Sequence, residues 1–507
     1  MARRIPVEQE TDFPKDSFIE VEDVDSEGYV RLAQNMHLSK ARLLSVWAFV
    51  GEDLSLVFSS YFNGNKLMVG RLSLPPEVNH IPSIAPFFPG ASRMERAIQD
   101  LWGISVPDNH DGRRWLDHGY WEKAPLTGRD LPEHPEKGDY PFVRVEGEGV
   151  HEIPVGPVHA GMIEPGHFRF QVVGEKVLRM EERLGYTHKG IDGLSRDLPW
   201  TKGVKLAGRV SGDTTVGHSL AYSLSVEAAI GMEIPKRGQF LRGLLLERER
   251  IANHLGDLGA LANDAGLSFG LSQFLILKED FLRQNKTLFG HRLLMDLVLP
   301  GGVVKDLAPE AILAMSEEAA RILREIEILQ TIFDEHGGLQ DRFFGTGILL
   351  PDIAEKMGLC GVCGRASGQP SDLRSLWKLP PYDEMDFTPA LETGGDVRAR
   401  VAVRFFEVRE SLRLVREILL KLPGGEIFTE PPSGVKGREG ISAVEGWRGE
   451  ILCWSRLGGG NIVMASHFHD PSWILWPALE MAIPGNLVAD FPLINKSFNP
   501  SYSGHDL

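Results

Sequence analysis

Long amphipathic segments constrain the fold of this chain more than any other feature. Apolar residues recur at three- and four-residue intervals over residues 214–230, 235–261, 309–336 and 401–422. In the second segment, Phe240, Leu244, Ile251 and Leu255 show this spacing, which places apolar side chains on one face of an α-helix. Because no strand pattern separates these segments, we predict a core that is a helical bundle.

The N-terminal region has a different pattern. Short apolar runs at 54–58 and 66–75 alternate in the manner of strands, and a helical stretch begins at Ser92. These features predict a small α+β domain over residues 1–123. Residues 124–150 are rich in proline, glycine and charge, which is typical of a linker or an extended arm.

Residues 151–507 form the predicted larger domain. It begins with a short antiparallel hairpin region, because the alternation in 168–173 is followed by a Gly174-Glu175 turn. The predicted fold class is therefore α+β: a small α+β N-terminal domain and a larger, mainly helical domain with a short β-hairpin region.

Composition narrows the possible partners. The chain has 507 residues and a formal net charge of -16, which argues against a nucleic-acid partner because phosphate binding needs clustered Lys and Arg. The least charged long stretch, 471–489, contains Glu480 and is interrupted by Pro477 and Pro484, so it is expected to be buried core and no membrane span. Few cysteines and the lack of an export signal favour a cytoplasmic location, with any membrane attachment through partners.

The cysteine count limits metal chemistry. The chain has three cysteines, Cys360, Cys363 and Cys453, so it cannot supply four thiolates to one metal. Cys360 and Cys363 are spaced like half of a metal or redox motif. Since no second pair follows, we interpret them as two small buried residues in a glycine-rich loop.

Two segments, 208–222 and 497–506, carry a specific resemblance. They resemble the nickel-iron hydrogenase large subunits of the energy-converting, membrane-bound type, whose motifs R-V-C-G-x-C-x-x-x-H and D-P-C-x-x-C supply four thiolates to nickel and iron. At the four cysteine positions this chain has Ser211, Thr214, Ser501 and Gly504. Serine and threonine hydroxyls are hard donors that do not ionise near neutral pH, so the resemblance implies a hydrogenase-like chain that has lost its metal.

A second resemblance lies at the end of the first region. Residues 95–104 and 109–116 are similar to the signature E-R-x-x-x-D-x-x-G-I-x-F-x-x-H-x-D-x-R-R of the 30-kDa subunit of respiratory complex I. That family uses the module to hold its peripheral arm together, so no chemistry is assigned to it. Arg113 and Arg114 belong either to a solvated loop or to a docking surface.

Further blocks at 156–170, 185–190, 364–368 and 395–400 follow in the order found in hydrogenase large subunits and in the homologous 49-kDa subunit of complex I. A chain with both parts resembles most the large subunits of formate hydrogenlyase and hydrogenase-4. The resemblance implies a small iron-sulfur subunit with a 4Fe-4S cluster, a ferredoxin-like subunit and ion-pumping membrane subunits as partners. It implies no cofactor bound by this chain itself, NAD chemistry only elsewhere in the complex, and attachment to the inner face of the cell membrane through the partners.

The resemblance also suggests a cavity that faces the partner's cluster. If the helix includes 211, then Ser211, Thr214 and His218 share one helical face. Ser211, Thr214, Ser501 and Gly504 are expected to line the cavity as the altered nickel-ligand positions. Neutral donors, imidazoles and an arginine could hydrogen-bond a quinone carbonyl or give it protons. The candidates for this role are His159, Glu164, His167, Arg169, Arg209 and His218.

Each candidate has a structural alternative. His218 could be a hydrogen-bonded core histidine, and Arg169 and Arg209 could be buried partners of Glu164 and Asp213. The hydroxyl residues could only fill the volume of the absent thiolates. The tyrosine that donates to quinone in complex I is replaced here by Gly212. The histidine of the complex I hairpin corresponds either to His167 or to His159, because the loop differs in length.

Two functions remain open from the sequence. In the first, the chain transfers electrons between the partner's iron-sulfur cluster and a quinone or another acceptor at a nickel-free cavity, coupled to ion translocation by membrane subunits. In the second, the chain is a non-catalytic scaffold that couples the peripheral arm to the membrane arm. An active hydrogenase is not expected from this chain by itself.

Overall fold

The structure is a computed structural model that describes residues 18–51, 54–75, 77–131, 140–161, 163–432 and 437–507. Over its described residues, the first region contains two helices and one sheet. Its elements are β1 (Ile19–Val24), α1 (Ser26–Leu38), β2 (Arg42–Val50), β3 (Ser55–Asn63), β4 (Lys66–Leu74) and α2 (Ala91–Trp102).

The sheet of the first region has the order β1-β4-β3-β2, with β1 parallel to β4 and the other pairs antiparallel. Helix α2 packs on β2 and ends at Gly103, whose φ of 65° lies in the left-handed region that favours glycine. Eleven of its twelve residues are buried, including Glu95, Arg96 and Asp100. A helix with buried charges on several faces must be covered by more than its own sheet.

Next comes a three-stranded antiparallel sheet in the order β5-β6-β7. Its strands are β5 (Val150–Val155), β6 (His167–Val173) and β7 (Lys176–Arg183). The predicted strand and the turn at Gly174 are confirmed. Since Val155 pairs with Phe168, residues 156–161 and 163–166 belong to the loop that closes this hairpin, and we call these described residues the hairpin loop.

The larger region is built from helices, a small β-ladder and a second sheet. Its first elements are α3 (Ile191–Leu194), β8 (Leu198–Pro199), α4 (Trp200–Ala207), α5 (Thr215–Ile230), α6 (Lys236–Asp264), α7 (Ser268–Phe289), β9 (Val298–Leu299), β10 (Gly302–Val303) and α8 (Pro309–Glu335). The following elements are α9 (Gly337–Phe343), α10 (Pro351–Met357), α11 (Gly361–Ala366), α12 (Leu373–Leu376) and α13 (Val397–Lys421), with a 3-10 turn at Tyr382–Glu384.

The last part of the chain contains β11 (Glu439–Glu445), β12 (Glu450–Leu457), β13 (Ile462–His469), α14 (Ser472–Ala482), α15 (Phe491–Phe498) and α16 (Tyr502–Asp506), with a 3-10 turn at Val488–Asp490. The strands form an antiparallel sheet in the order β11-β12-β13-β8, and α5 packs against β11 and β12. This sheet is missing from the prediction, which had no strands in the larger domain beyond the hairpin region.

The α+β fold class is confirmed, and so are the four long helices, α5, α6, α8 and α13, to within a few residues. Helix α7 is absent from the prediction. The predicted core stretch 471–489 is confirmed for its first part only, because α14 is largely buried whereas residues 484–489 are exposed or half-buried. Among the described residues, no helix has the length and apolar character that a membrane span requires. The domain boundaries at 123 and 150 stay a prediction.

Candidate functional site

Three of the four residues that the sequence resemblance assigned to nickel-ligand positions meet in the structure. Ser211 and Thr214 lie in the turn before α5, which begins at Thr215, so the predicted common helical face is wrong for these two residues. Ser501 caps α16, and its Oγ accepts a hydrogen bond of 2.9 Å from the Gly504 amide. The Ser211 and Ser501 hydroxyls are 3.0 Å apart, so the two motifs come together as the resemblance implied.

A buried guanidinium lies beside these hydroxyls. Arg448, in the turn between β11 and β12, donates to the two Asp213 carboxylate oxygens at 2.7 and 2.6 Å and to Thr214 Oγ1 at 2.9 Å. Ser211 Oγ donates to the same carboxylate at 2.8 Å. Burial alone would raise the pKa of Asp213, but the charge and hydrogen bonds of Arg448 lower it below its usual range. The hydroxyl groups of Ser211 and Thr214 therefore lie around the ion pair between Asp213 and Arg448.

The fourth position, Gly504, has no room for a side chain. A Cβ on Gly504 would lie 2.7 Å from the Asp470 Cγ. The Asp470 carboxylate in turn lies 3.0 Å from His218 Nε2 and accepts from the Ser472 amide at 2.9 Å. Burial opposes the charge on Asp470, but His218 and Arg448 lower its pKa to about 2, so it remains an anion. Asp470 thus fills the space next to Gly504.

The hairpin loop docks on α16. Tyr502 OH and His159 Nε2 are 3.2 Å apart, and Glu164 Oε2 accepts from the Ser503 amide at 3.0 Å. Gly166 permits this approach, because a Cβ there would lie 2.5 Å from the Tyr502 ring. Burial lowers the pKa of His159, which favours the neutral imidazole near pH 7. Two predicted residues, His159 and Glu164, therefore lie against the C-terminal motif.

His167 and Arg169 form the adjoining part of the hairpin. Arg169 Nε lies 3.3 Å from His167 Nε2, and its Nη1 donates to Glu152 at 2.9 Å. Burial lowers the pKa of His167, and the Arg169 cation lowers it further, while a hydrogen bond with the Gly156 carbonyl opposes both. The Arg169 guanidinium also lies 4.6 Å from the centre of the Phe142 ring.

Arg209 stands apart from the other candidates. Its guanidinium forms an ion pair with Asp296, and both side chains are about one-third or more exposed. The alternative pairings from the sequence are not observed, since Arg169 pairs with Glu152 and Asp213 with Arg448. The guanidinium of Arg209 is thus engaged away from the Ser211 cluster.

Lys189 was not among the candidates but links the two motifs. Its Nζ donates to the Val210 carbonyl at 2.8 Å and lies 3.3 Å from the Ser503 carbonyl. Burial lowers the pKa of Lys189, although nearby carboxylates oppose this shift. Lys189 belongs to the block at 185–190 that resembles the hydrogenase large subunits, so the sequence did carry a signal for it. Asp470 and Arg448 were also missed as functional candidates, because they lie outside the hairpin, helix and C-terminal motifs. Tyr502 lies within the C-terminal segment that was expected to line the cavity, but no role of its own was predicted for it.

The first region also reaches the site. Trp115 Nε1 donates to His505 Nε2 at 3.2 Å, and His505 Nδ1 lies 2.9 Å from Asp506. Arg113 pairs with Asp111 and with Glu181 of β7, each at 2.7 Å. Of the two alternatives for this loop, the structure supports docking, and the docked surface belongs to the same chain.

An apolar cavity of about 440 Å³ lies elsewhere, between α5, α6 and β11. Its lining includes Leu224, Met232 and Trp377 but none of the predicted site residues. It adjoins the C-terminal half of α5, whereas Ser211 and Thr214 precede the N-terminus. A helix of this length spans about 24 Å, so the cavity and the altered motifs are separate places.

Comparisons with known proteins agree with this arrangement. Residues 22–136 match the family described as respiratory-chain NADH dehydrogenase, 30 Kd subunit, and residues 264–439 match the 49 Kd subunit family. The fold and the paired motifs thus define an oxidoreductase subunit of the complex I and membrane-bound hydrogenase type.

More particularly, the chain belongs to the family of formate hydrogenlyase subunit 5. The protein of that name from Escherichia coli (strain K12) is 32% identical over 446 residues, which cover 86% of this chain and 78% of the relative. The C/D subunit of NADH-quinone oxidoreductase from Phocaeicola vulgatus is 25% identical, covering 92% of this chain and 94% of the relative.

A solved structure shares the fold. It is described as the membrane-bound sulfane sulfur reductase, an archaeal respiratory membrane complex, and a chain in it matches with a TM-score of 0.67 at 24% identity. The match covers 71% of this chain and 99% of that chain.

Proposed function

We propose that this chain is a peripheral-arm subunit that transfers electrons, without nickel, between a partner's 4Fe-4S cluster and an acceptor of the quinone class. One observation supports the proposal that the site holds no nickel. The Asp470 carboxylate lies next to Gly504, where a Cβ would clash at 2.7 Å. Three hydroxyls and a guanidinium occupy the rest of the motif, and none of these groups is a soft donor for nickel.

The acceptor would bind where the hairpin loop meets α16. A quinone carbonyl needs a hydrogen-bond donor and, on reduction, protons. Tyr502 and His159 provide a phenol and a neutral imidazole 3.2 Å apart, and His159 is only half-buried. Tyr502 thereby supplies the phenol that is lacking at Gly212. His167 and Arg169 would border this site, with Arg169 stabilising negative charge on the reduced oxygen.

The remaining parts of the proposal concern the complex. Partners would be the small iron-sulfur subunit, a ferredoxin-like subunit and membrane subunits that translocate ions. They would hold this chain at the inner face of the cell membrane, and any NAD chemistry would take place in other subunits. The similarity to the C/D subunit of NADH-quinone oxidoreductase over 92% of the chain supports this assembly.

A scaffold without catalysis is the second candidate, and a specific observation favours it. Ser211, Thr214, Ser501 and Asp213 are all hydrogen-bonded within the chain, so the centre of the motif is filled by its own side chains. Because these side chains link the start of α5 to α16, they can transmit a conformational change between the two helices without binding a ligand.

The test uses the assembled complex and a short-chain quinone. We expect Tyr502→Phe and His159→Gln to lower quinone reduction by about a hundredfold, as for loss of a general acid. Tyr120→Phe and His110→Gln, both at exposed positions, are the matched controls and should turn over like the parent.

Binding of the quinone is measured separately. A photoactivatable quinone analogue should label the hairpin loop or α16 in the parent complex. If the analogue labels neither segment and both site variants reduce quinone normally, the electron-transfer proposal is wrong and the scaffold replaces it.

A further inference from the structure

Three charged side chains meet under the hairpin, where α2, β7 and α14 come together. Arg93 of α2 pairs with Glu182 of β7 at 2.5 Å and with Glu480 of α14 at 2.9 Å. Glu480 also accepts a hydrogen bond of 2.8 Å from the Glu182 amide. We call Glu182 and Glu480 the carboxylate pair. None of the functions discussed above uses it.

The local charges do not balance if both carboxylates are ionised. One guanidinium serves two acids, and the neighbouring Glu181 is itself paired with Arg113. Glu182 Oε2 is buried and has no hydrogen-bond partner among the described residues. Like charges that share one counter-ion favour retention of a proton on one of them. The other charged or titratable groups that act on the pair are Glu181 and Arg179 of β7 and Tyr502 of α16.

The pair connects solvent with the buried side of the hairpin. The Glu182 side chain is fully buried, whereas 20% of the Glu480 side chain is exposed. A proton from water can therefore reach Glu480 first and pass to Glu182 next to it.

On its inner side, Glu182 faces the candidate acceptor residues. Glu182 pairs in register with Phe168, so both side chains are on the same face of the sheet. The Phe168 ring centre lies 5.6 Å from that of His159 and 6.0 Å from that of Trp476. Tyr502 packs on the same tryptophan at 4.7 Å. Glu182, Tyr502 and His159 thus belong to one packed cluster.

We propose that the carboxylate pair holds one exchangeable proton and passes it through Tyr502 and His159 to the acceptor reduced at the hairpin loop. This inference rests on the proposed function, because it names the proton source for that reaction. Glu182 does not contact the acceptor. It supplies the proton through Tyr502 and His159, and it is therefore a positioning residue and no catalytic residue.

The proton and electron balance is simple. Electrons come from the partner's iron-sulfur cluster, and each one reduces a quinone oxygen that then gains a proton. The new O–H bond forms with the Nδ1 proton of His159, while His159 Nε2 takes the Tyr502 hydroxyl proton. No described hydrogen bond joins Glu182 to Tyr502, so one bridging water would carry the Glu182 carboxyl proton to the Tyr502 oxygen, and Glu480 restores the Glu182 proton from solvent. This first transfer leaves His159 as its Nε2–H tautomer, so the half-buried imidazole exchanges protons with water to return to the Nδ1–H form before a second, identical transfer completes the two-electron reduction.

The pKa shifts agree with the geometry. Burial raises the pKa of Glu182 to about 8, with the charges of Glu480 and Glu181 acting in the same direction and Arg93 opposing them. Burial also raises the pKa of Glu480. A proton would therefore be present on the pair at neutral pH and lost at mildly alkaline pH.

The first measurement needs no acceptor. Infrared spectra of the resting complex in water and in D₂O should show a protonated carboxyl band that is missing in Glu182→Gln. Glu318→Gln replaces another buried acid, which lies beside Arg248 and whose pKa burial raises to about 7, and should retain the band that is lost in Glu182→Gln. If Glu182→Gln keeps every carboxyl band of the parent, the pair holds no proton and the inference is overturned.

The second measurement is the pH dependence of quinone reduction. In the parent we expect turnover to fall as pH rises through the pKa of the pair. Glu182→Gln should lower turnover by at least about tenfold and abolish this fall, whereas Glu318→Gln should leave both unchanged. Glu480→Gln should slow turnover while the Glu182 band persists, which tests the relay if Glu182→Gln fails to assemble.

The outcomes separate the two proposals. Normal turnover and an unchanged pH profile in both Glu182→Gln and Glu480→Gln would overturn the relay, even if Tyr502→Phe is inactive. A parent complex that binds and reduces no quinone would overturn the proposed function instead, whatever its infrared spectrum.

Discussion

At position 504 the backbone passes so close to Asp470 that any side chain would displace the carboxylate. The carboxylate is held by His218 and the Ser472 amide, and therefore cannot move without loss of two hydrogen bonds. A side chain at this position is thus excluded by an acid on another element. We expect that a cysteine placed here alone would not create a metal site.

Gly504→Cys tests this steric argument. We expect it to lower the free energy of unfolding by about 1–3 kcal/mol, because the new Cβ overlaps Asp470. Gly212→Cys is the matched control, since no atom lies within 4 Å of a Cβ there, and should change stability by less than about 0.5 kcal/mol. Chemical denaturation of the two purified variants measures both. Equal stability would show that Asp470 can be displaced at little cost.

The ionised Asp470 carboxylate should also make the stability of the fold sensitive to acid. Its pKa is about 2 in the folded chain, below the value of about 3.9 for an unperturbed aspartate. Its contribution to stability is therefore complete above pH about 4 and lost as pH falls toward about 2. Asp470→Asn should flatten the acid limb of the stability curve, whereas Asp334→Asn, at an exposed position, should not. An unchanged acid limb in Asp470→Asn would contradict the assignment.

Among the elements, the hairpin loop and α16 depend on each other. Glu164 and His159 hold the loop against Ser503 and Tyr502, and Gly166 allows the close approach to the tyrosine ring. The geometry of the candidate acceptor site is therefore set by a contact between two elements that are more than 300 residues apart in sequence.

Gly166→Ala should separate these two elements. The added methyl group would lie 2.5 Å from the Tyr502 ring, so the loop must move away from α16. We expect faster proteolysis within the hairpin loop and a lower rate of quinone reduction. Gly161→Ala is the control in the same loop, where a Cβ meets no atom within 4 Å. Proteolysis at the same rate in both variants would show that the loop tolerates the methyl group in place.

Long helices could be predicted because their apolar spacing persists over many turns, as in α6 and α13. The strands β11 and β12 could not, because they are buried on both faces and show no alternation. Buried glutamates such as Glu439, Glu445 and Glu450 further conceal them. The motifs predicted that Ser211 and Ser501 meet. They could not predict Asp470 or Arg448, which reach the site only through this second sheet and the turns beside it.

Over the whole molecule, the first region is joined to the rest through buried polar contacts. The ring of Trp115 has the guanidinium carbons of Arg93, Arg96 and Arg183 at 4.4, 4.9 and 5.6 Å from its centre. Arg93 and Arg96 belong to α2, whereas Arg183 belongs to β7 and donates to the Asp117 carbonyl at 2.8 Å. The segment that resembles the 30-kDa subunit therefore forms an interface within the chain, which we call the internal joint. Its tryptophan, Trp115, contacts the C-terminal motif through His505.

Trp115→Phe tests whether this joint controls the C-terminal motif. The change removes the hydrogen bond to His505 and reduces the contact area with the three guanidinium groups, at a cost of about 2 kcal/mol. We expect faster amide hydrogen exchange both near residue 115 and in α16, because His505 loses the donor that fixes its ring. Trp377→Phe, which removes an indole hydrogen bond to the Asn65 carbonyl away from α16, should affect only its own surroundings. If exchange in Trp115→Phe rises near residue 115 while α16 exchanges as in the parent, the first region stabilises the chain without positioning the C-terminal motif.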